Sequence, residues 1–275
     1  MVEPIIQCPV CQIETIDTID EGEILFSCQK CGWEKIEYRP FNVGAWFVTI
    51  RQALAPFDIL QTLLTDKSIV TFLKPRLKGI SHLSEPTLGF ESGNEYYQRE
   101  VEAANAVYLC QLVVIAVTYA ELIIKDFFYC LFLVHPQRMN QFLTLDGESK
   151  GKIKFNEVLQ AESKETLIES LAERVAARAA STKIDKIVAK LVKESAITPQ
   201  LPLIDDLKEL NELRNVIVHE GKNNDVTAEQ VIAGFGLVSY LLYILGEIAI
   251  KFGVVTLDEA SFLFKSRTRL TSVPL

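Results

Sequence analysis

Arg214, Asn215 and His219 are the residues of this chain best equipped for chemistry. They combine a permanent cation, an amide and an imidazole that titrates near neutrality. Together these can move a proton and hold developing negative charge at a phosphodiester without a metal. Six cysteines form a second constellation. Four of them make two CxxC pairs, Cys8 with Cys11 and Cys28 with Cys31, sixteen residues apart. Such pairs, brought together by a short hairpin, offer four thiolates to one zinc. That shell is closed, so the zinc is expected to be structural. A redox dithiol would be a single CxxC in a βαβ context, which is absent. Cys110 and Cys130 sit in apolar helical sequence and read as inert core residues.

The element that must position the first constellation is a helix over 204–218. Leu203, Leu207, Leu210, Leu213 and Ile217 recur at three- and four-residue steps and share one face. Asp205 and Asp206 suit the positive end of the helix dipole, and Gly221 is a C-terminal stop signal. Asn211, Asn215 and His219 are successive i, i+4 neighbours, so they form a polar stripe beside that face. Arg214 projects between Leu207 and Leu210, along the edge of the apolar side, where a guanidinium needs a partner or a cleft. Two readings follow. Either Arg214 and His219 serve a reacting group, or Arg214 caps a buried carboxylate such as Glu121 and His219 merely closes the helix.

The bare spacing of an arginine and a histidine carries little weight, since Arg76 and His82 share it in sequence broken by Pro75. At Arg214 the context is fuller: an adjacent asparagine, an amphipathic helix before it, a polar loop and a long apolar helix after it. The stretch Arg214-Asn215-Val216-Ile217-Val218-His219 therefore resembles the R-N-x(3–5)-H motif of the HEPN superfamily, and Thr118 to Asp126 resembles that family's early core helix. The resemblance spans roughly 94–252. It implies an all-α fold, here a HEPN-like helical bundle preceded by a small β zinc ribbon. It also implies metal-independent RNA cleavage by 2′-hydroxyl attack with a cyclic phosphate product, a homodimer, and a toxin or defence role with a neutralising antitoxin as partner. In that scheme His219 exchanges protons, Arg214 stabilises the phosphorane and Asn215 orients one or the other. The alternatives are a non-catalytic RNA- or nucleotide-binding module, and a scaffold that recruits a protein partner through the ribbon.

Composition bounds these readings. A net charge of −8 over 275 residues excludes a generic nucleic-acid coat, so any RNA contact must be local. Two apolar segments, 103–120 and 231–246, run quickly into charged residues, as buried bundle helices do and membrane spans do not. The opening residues lack the pattern of a signal peptide, so a cytoplasmic protein without membrane contact is expected. Three regions are expected: a zinc ribbon over 1–40, short helices and linker over 41–93 with breaks at Pro56 and Pro75, and the helical domain over 94–275. Helices are predicted over 94–134, 162–195, 204–218 and 228–252, with strands almost confined to the ribbon. Lys183, Lys186, Lys190 and Lys193 fall opposite Ile184, Ile187, Val188 and Leu191, giving a solvated face or an RNA-backbone track. His135 is a helix-end residue, and Lys265, Arg267 and Arg269 form a basic tail.

Overall fold

A computed structural model describes residues 6–7, 14–15, 18–20, 23–27, 30, 34–37, 40–65, 93–143, 158, 161–181, 183–220, 226–258 and 260–263. These residues are mostly helical. In chain order the helices are α1 (Val43–Thr65), α2 (Gly93–Val134), α3 (Asn140–Leu143), α4 (Lys164–Ala180), α5 (Ile184–Ser195), α6 (Leu203–Glu220) and α7 (Ala228–Lys251), with a 3-10 turn at Pro136–Met139.

The centre is α2, a continuous helix of 42 residues. It packs against α7, α4 and α6. Its buried side presents Leu112, Val113, Ala116, Val117, Ile123, Ile124, Phe127 and Phe128, and α7 answers with Val231, Phe235, Val238, Leu241, Leu242 and Leu245. Helix α4 contributes Ala172, Ala176 and Ala179, whose small side chains let it lie close to its neighbours. Helices α2 and α7 are long and apolar enough to cross a membrane by composition alone. About half or more of each apolar window (50% and 61%) is buried inside the bundle.

Helix α1 departs from the expectation of short, broken helices, because it runs through Pro56 without interruption. Proline deletes the bond to the carbonyl four residues earlier, at Gln52. Both Gln52 and Pro56 are exposed, so water can take that place. On either side of the proline, Ile50 and Phe57 are fully buried and hold the helix to the bundle. Phe41, Val43, Ile50 and Phe57 therefore share the core of the later helices; 66–92, with Pro75, Arg76 and His82, lie outside the described residues. The predicted 162–195 helix is two, α4 and α5, with Ser181 as the C-cap of the first.

Strands β1 (Ile6–Gln7), β2 (Glu14–Thr15), β3 (Thr18–Asp20), β4 (Glu23–Ser27) and β5 (Glu34–Glu37) fall where the ribbon was expected. Two further strands, β6 (Phe41–Asn42) and β7 (Thr256–Leu257), are too short for a period to show in sequence. One sheet has the order β2-β1-β7-β6 and the other β3-β4-β5. In the first, β6 and β7 are parallel, and β7 also pairs antiparallel with β1. Just beyond β7, the buried Asp258 accepts hydrogen bonds from the backbone N–H groups of Phe262 (2.6 Å) and Leu263 (2.8 Å).

Candidate functional site

Helix α6 carries the site and is seated as its pattern requires. Leu203, Leu207 and Leu210 are buried, and Leu213 and Ile217 pack half-buried against the same core. Gly234 on α7 lets the two helices meet closely, since a Cβ there would lie 3.2 Å from Leu210. Asp205 and Asp206 occupy the first turn and His219 the last. The loop with Gly221 lies outside the described residues.

Arg214 is half-buried at the edge of this face. Its Nη1 donates to Asn215 Oδ1 at 3.0 Å, and its Nη2 lies 3.6 Å from Glu121 Oε1 on α2. The guanidinium is thus oriented from two sides, by an amide on its own helix and a carboxylate on the central one. Neither clamp is strong. The ion pair is single-pronged and its side chains remain 29% and 35% exposed, so water screens it and it contributes at most about 1 kcal/mol. Among the described residues the five-donor fork makes no other hydrogen bond or ion pair.

His219 is exposed and makes no hydrogen bond among the described residues. It stands four residues after Asn215, about 6 Å further along the helix on the same stripe. The structure therefore brings Arg214, Asn215 and Glu121 into one cluster and leaves His219 one turn beyond it, facing solvent. Asn211, the third member of the stripe, is half-buried one turn before Asn215. The Arg214 guanidinium, off the stripe itself, reaches it only through Asn215.

Cys8, Cys11, Cys28 and Cys31 lie outside the described residues, but the strands around them bear on the zinc reading. Gln7 pairs with Glu14, so the first CxxC occupies the connection of an antiparallel pair. Ser27 pairs with Glu34, so the second does too. Among the described residues no group of three or more His, Cys, Asp or Glu side chains could hold a metal ion. Cys110 and Cys130 are buried, and burial pushes the Cys110 thiol up, away from the reactive thiolate.

Two concavities escaped the sequence. A cleft of about 230 Å3 is lined by Trp46, Leu122, Lys125, Asp126, Tyr129 and Glu173, where Trp46 Nε1 donates to Asp126 Oδ2 at 2.8 Å. Contacts across eighty residues leave no local periodicity to read. The other, a groove of about 400 Å3 between α6 and α7, has an apolar floor of Leu210, Leu213 and Leu237 with Asp206 and Glu209 at its rim. Its acidic rim suits neither a phosphate nor any other anion. No family model matches this chain, and neither a curated protein nor a solved structure is detectably similar to it.

Proposed function

We propose that this protein is a metal-independent RNA endonuclease of HEPN type, with Arg214, Asn215 and His219 as its catalytic residues. The observation that carries the reading is the contrast within the motif: Arg214 is oriented by Asn215 and Glu121, while His219 is exposed and has no hydrogen-bond partner among the described residues. Neutral His219 takes the proton of the ribose 2′-hydroxyl. The 2′-oxygen attacks phosphorus, the bond to the 5′-oxygen breaks, and a 2′,3′-cyclic phosphate remains. Arg214 meets the charge that grows on the non-bridging oxygens. Glu121 is a positioning residue that acts through Arg214. The leaving 5′-oxygen needs a proton, and one imidazole per chain cannot both remove and deliver it at once. A homodimer that sets two motifs across one cleft supplies the second imidazole as its cation.

The ribbon, with one structural zinc on Cys8, Cys11, Cys28 and Cys31, takes no part in this chemistry and offers a surface for a protein partner. Half or more of the apolar windows of α2 and α7 is buried in the bundle, which supports reading them as core helices, and a cytoplasmic location is part of the proposal. A toxin or defence role with a neutralising antitoxin follows from the resemblance alone. The Arg214–Glu121 pair itself favours a second reading, in which the arginine serves the fold and the domain binds RNA or a nucleotide without cutting it.

The deciding experiment incubates purified protein with RNA in EDTA. Cleavage with cyclic phosphate ends, abolished by His219→Ala and absent on DNA, supports the nuclease; no cleavage, or full activity in His219→Ala, leaves the binding module. Metal analysis should find one zinc per chain, lost on combining Cys28→Ser with Cys31→Ser; protein free of zinc overturns the ribbon.

A further inference from the structure

We propose that the outer face of α5 is a docking track for the phosphate backbone of RNA, which binds along Lys183, Lys186 and Lys193. The proposal rests on the reading of RNA as substrate. Ile184, Ile187, Val188 and Leu191 are buried, so the register of α5 is fixed and the lysines are held outward. At about 100° per residue, positions 183, 186, 190 and 193 span an arc of roughly 80° and a length of about 15 Å.

Pairing separates these lysines from two others in the bundle. Lys125 reaches Glu173 and Lys208 reaches Glu212, both at 3.9 Å. Lys183, Lys186 and Lys193 are exposed and have no carboxylate partner among the described residues. The acid on their side of the helix is Glu194, which is already held by Arg138 at 3.0 Å and by Lys190 at 3.9 Å. Asp185 projects about 120° away from the mean lysine direction, by the same helical geometry. In a chain of net charge −8 this is a concentrated positive strip.

The face also lacks what a protein partner needs. None of the exposed large apolar side chains of the described residues lies on α5, whereas a stable protein interface has an apolar centre. Flexible, hydrated ammonium groups without an apolar anchor suit a sequence-independent polyanion contact. Helix α5 packs directly on α6, so the track adjoins the helix that bears Arg214 and His219.

The test measures binding of the full-length protein to a labelled 2′-O-methyl RNA strand, which can dock but cannot be cut. The combined variant Lys183→Gln, Lys186→Gln, Lys193→Gln should bind about tenfold more weakly at about 50 mM salt, and the slope of log affinity against log salt should fall by about two. Lys208→Gln is the control and should change neither. Unchanged affinity and slope in the triple variant, or no RNA binding by the wild type, overturns the track. So does a triple variant that binds RNA normally but loses binding to phosphatidylserine vesicles. If wild-type protein cuts ordinary RNA while the triple variant still binds normally, the track falls and the nuclease stands. If nothing is cut but binding depends on the lysines, the nuclease falls and the track stands.

Discussion

Two regions of this molecule each join a histidine to an arginine, and the fold treats them in opposite ways. At the end of α2, His135 donates from Nε2 to the Phe252 carbonyl at 2.6 Å, which closes the C-terminus of α7. Arg138 beside it binds Glu194 at 3.0 Å and lies 4.0 Å from the centre of the Phe252 ring. Every strong group there has a firm internal partner. On α6, Arg214 has a looser carboxylate at 3.6 Å and His219 has no partner among the described residues. Residue type alone does not separate a brace from a reactive site; what separates them is how much bonding capacity the fold has already consumed.

The sharpest way to break this contrast is to exchange the losses. His219→Ala should lower RNA cleavage by at least about 100-fold with an unchanged melting temperature, and Arg214→Ala by a similar factor. If His219→Ala instead unfolds the protein while keeping its specific activity, the two regions are alike. His135→Ala should do the reverse. It strands the Phe252 carbonyl and costs about 1–2 kcal/mol, a fall of several degrees by calorimetry, with cleavage retained. Arg138→Ala should cost about 1 kcal/mol, because a part-exposed ion pair and a ring contact are both lost; an unchanged melting temperature would remove the bracing role.

Within the site, Glu121→Gln keeps the shape and removes the charge that orients Arg214. A fall of about tenfold in cleavage is expected, and none on an Arg214→Ala background. Equal falls in both backgrounds would show that Glu121 does not act through Arg214. The smallest effect concerns Glu229 in the first turn of α7. A bond from its own backbone N–H, and then one with Thr227, hold its carboxyl below the usual range. A depressed carboxylate stabilises the fold above its unfolded pKa and loses that contribution as pH falls through its folded one. Glu229→Gln should lower the melting temperature by about one degree at neutral pH and by nothing in acid; a constant gap across pH would contradict this.

Much of this was legible because it is local. The steps of Leu203, Leu207 and Leu210 locate the buried face of α6, and the lysines of α5 oppose its apolar side as their spacing requires. The helical ends at His135 and before Ala228 follow from Pro136 and Thr227, a proline that disfavours helix before it and a capping box. Long-range facts were not legible. Continuity through Pro56 depends on which side of α1 meets solvent, and that is decided by α2 and α7. Strands β6 and β7 have two residues each and exist because of one another. The 3.6 Å approach of Glu121 was foreseen as an option, since an arginine on an apolar edge needs a carboxylate; its exposure, which leaves the cation available, was not.

The parallel pairing of Phe41–Asn42 with Thr256–Leu257 also constrains how the molecule can be made. The two strands are more than two hundred residues apart in the chain, so the ladder cannot close until most of the polypeptide has left the ribosome. Until then Phe41, which ends fully buried against Phe127, has no strand beside it. Contacts so distant form late and leave apolar surface open to other chains meanwhile. A growing chain that has reached residue 250 has nearly completed the seven described helices and still lacks the strand that closes its core around Phe41.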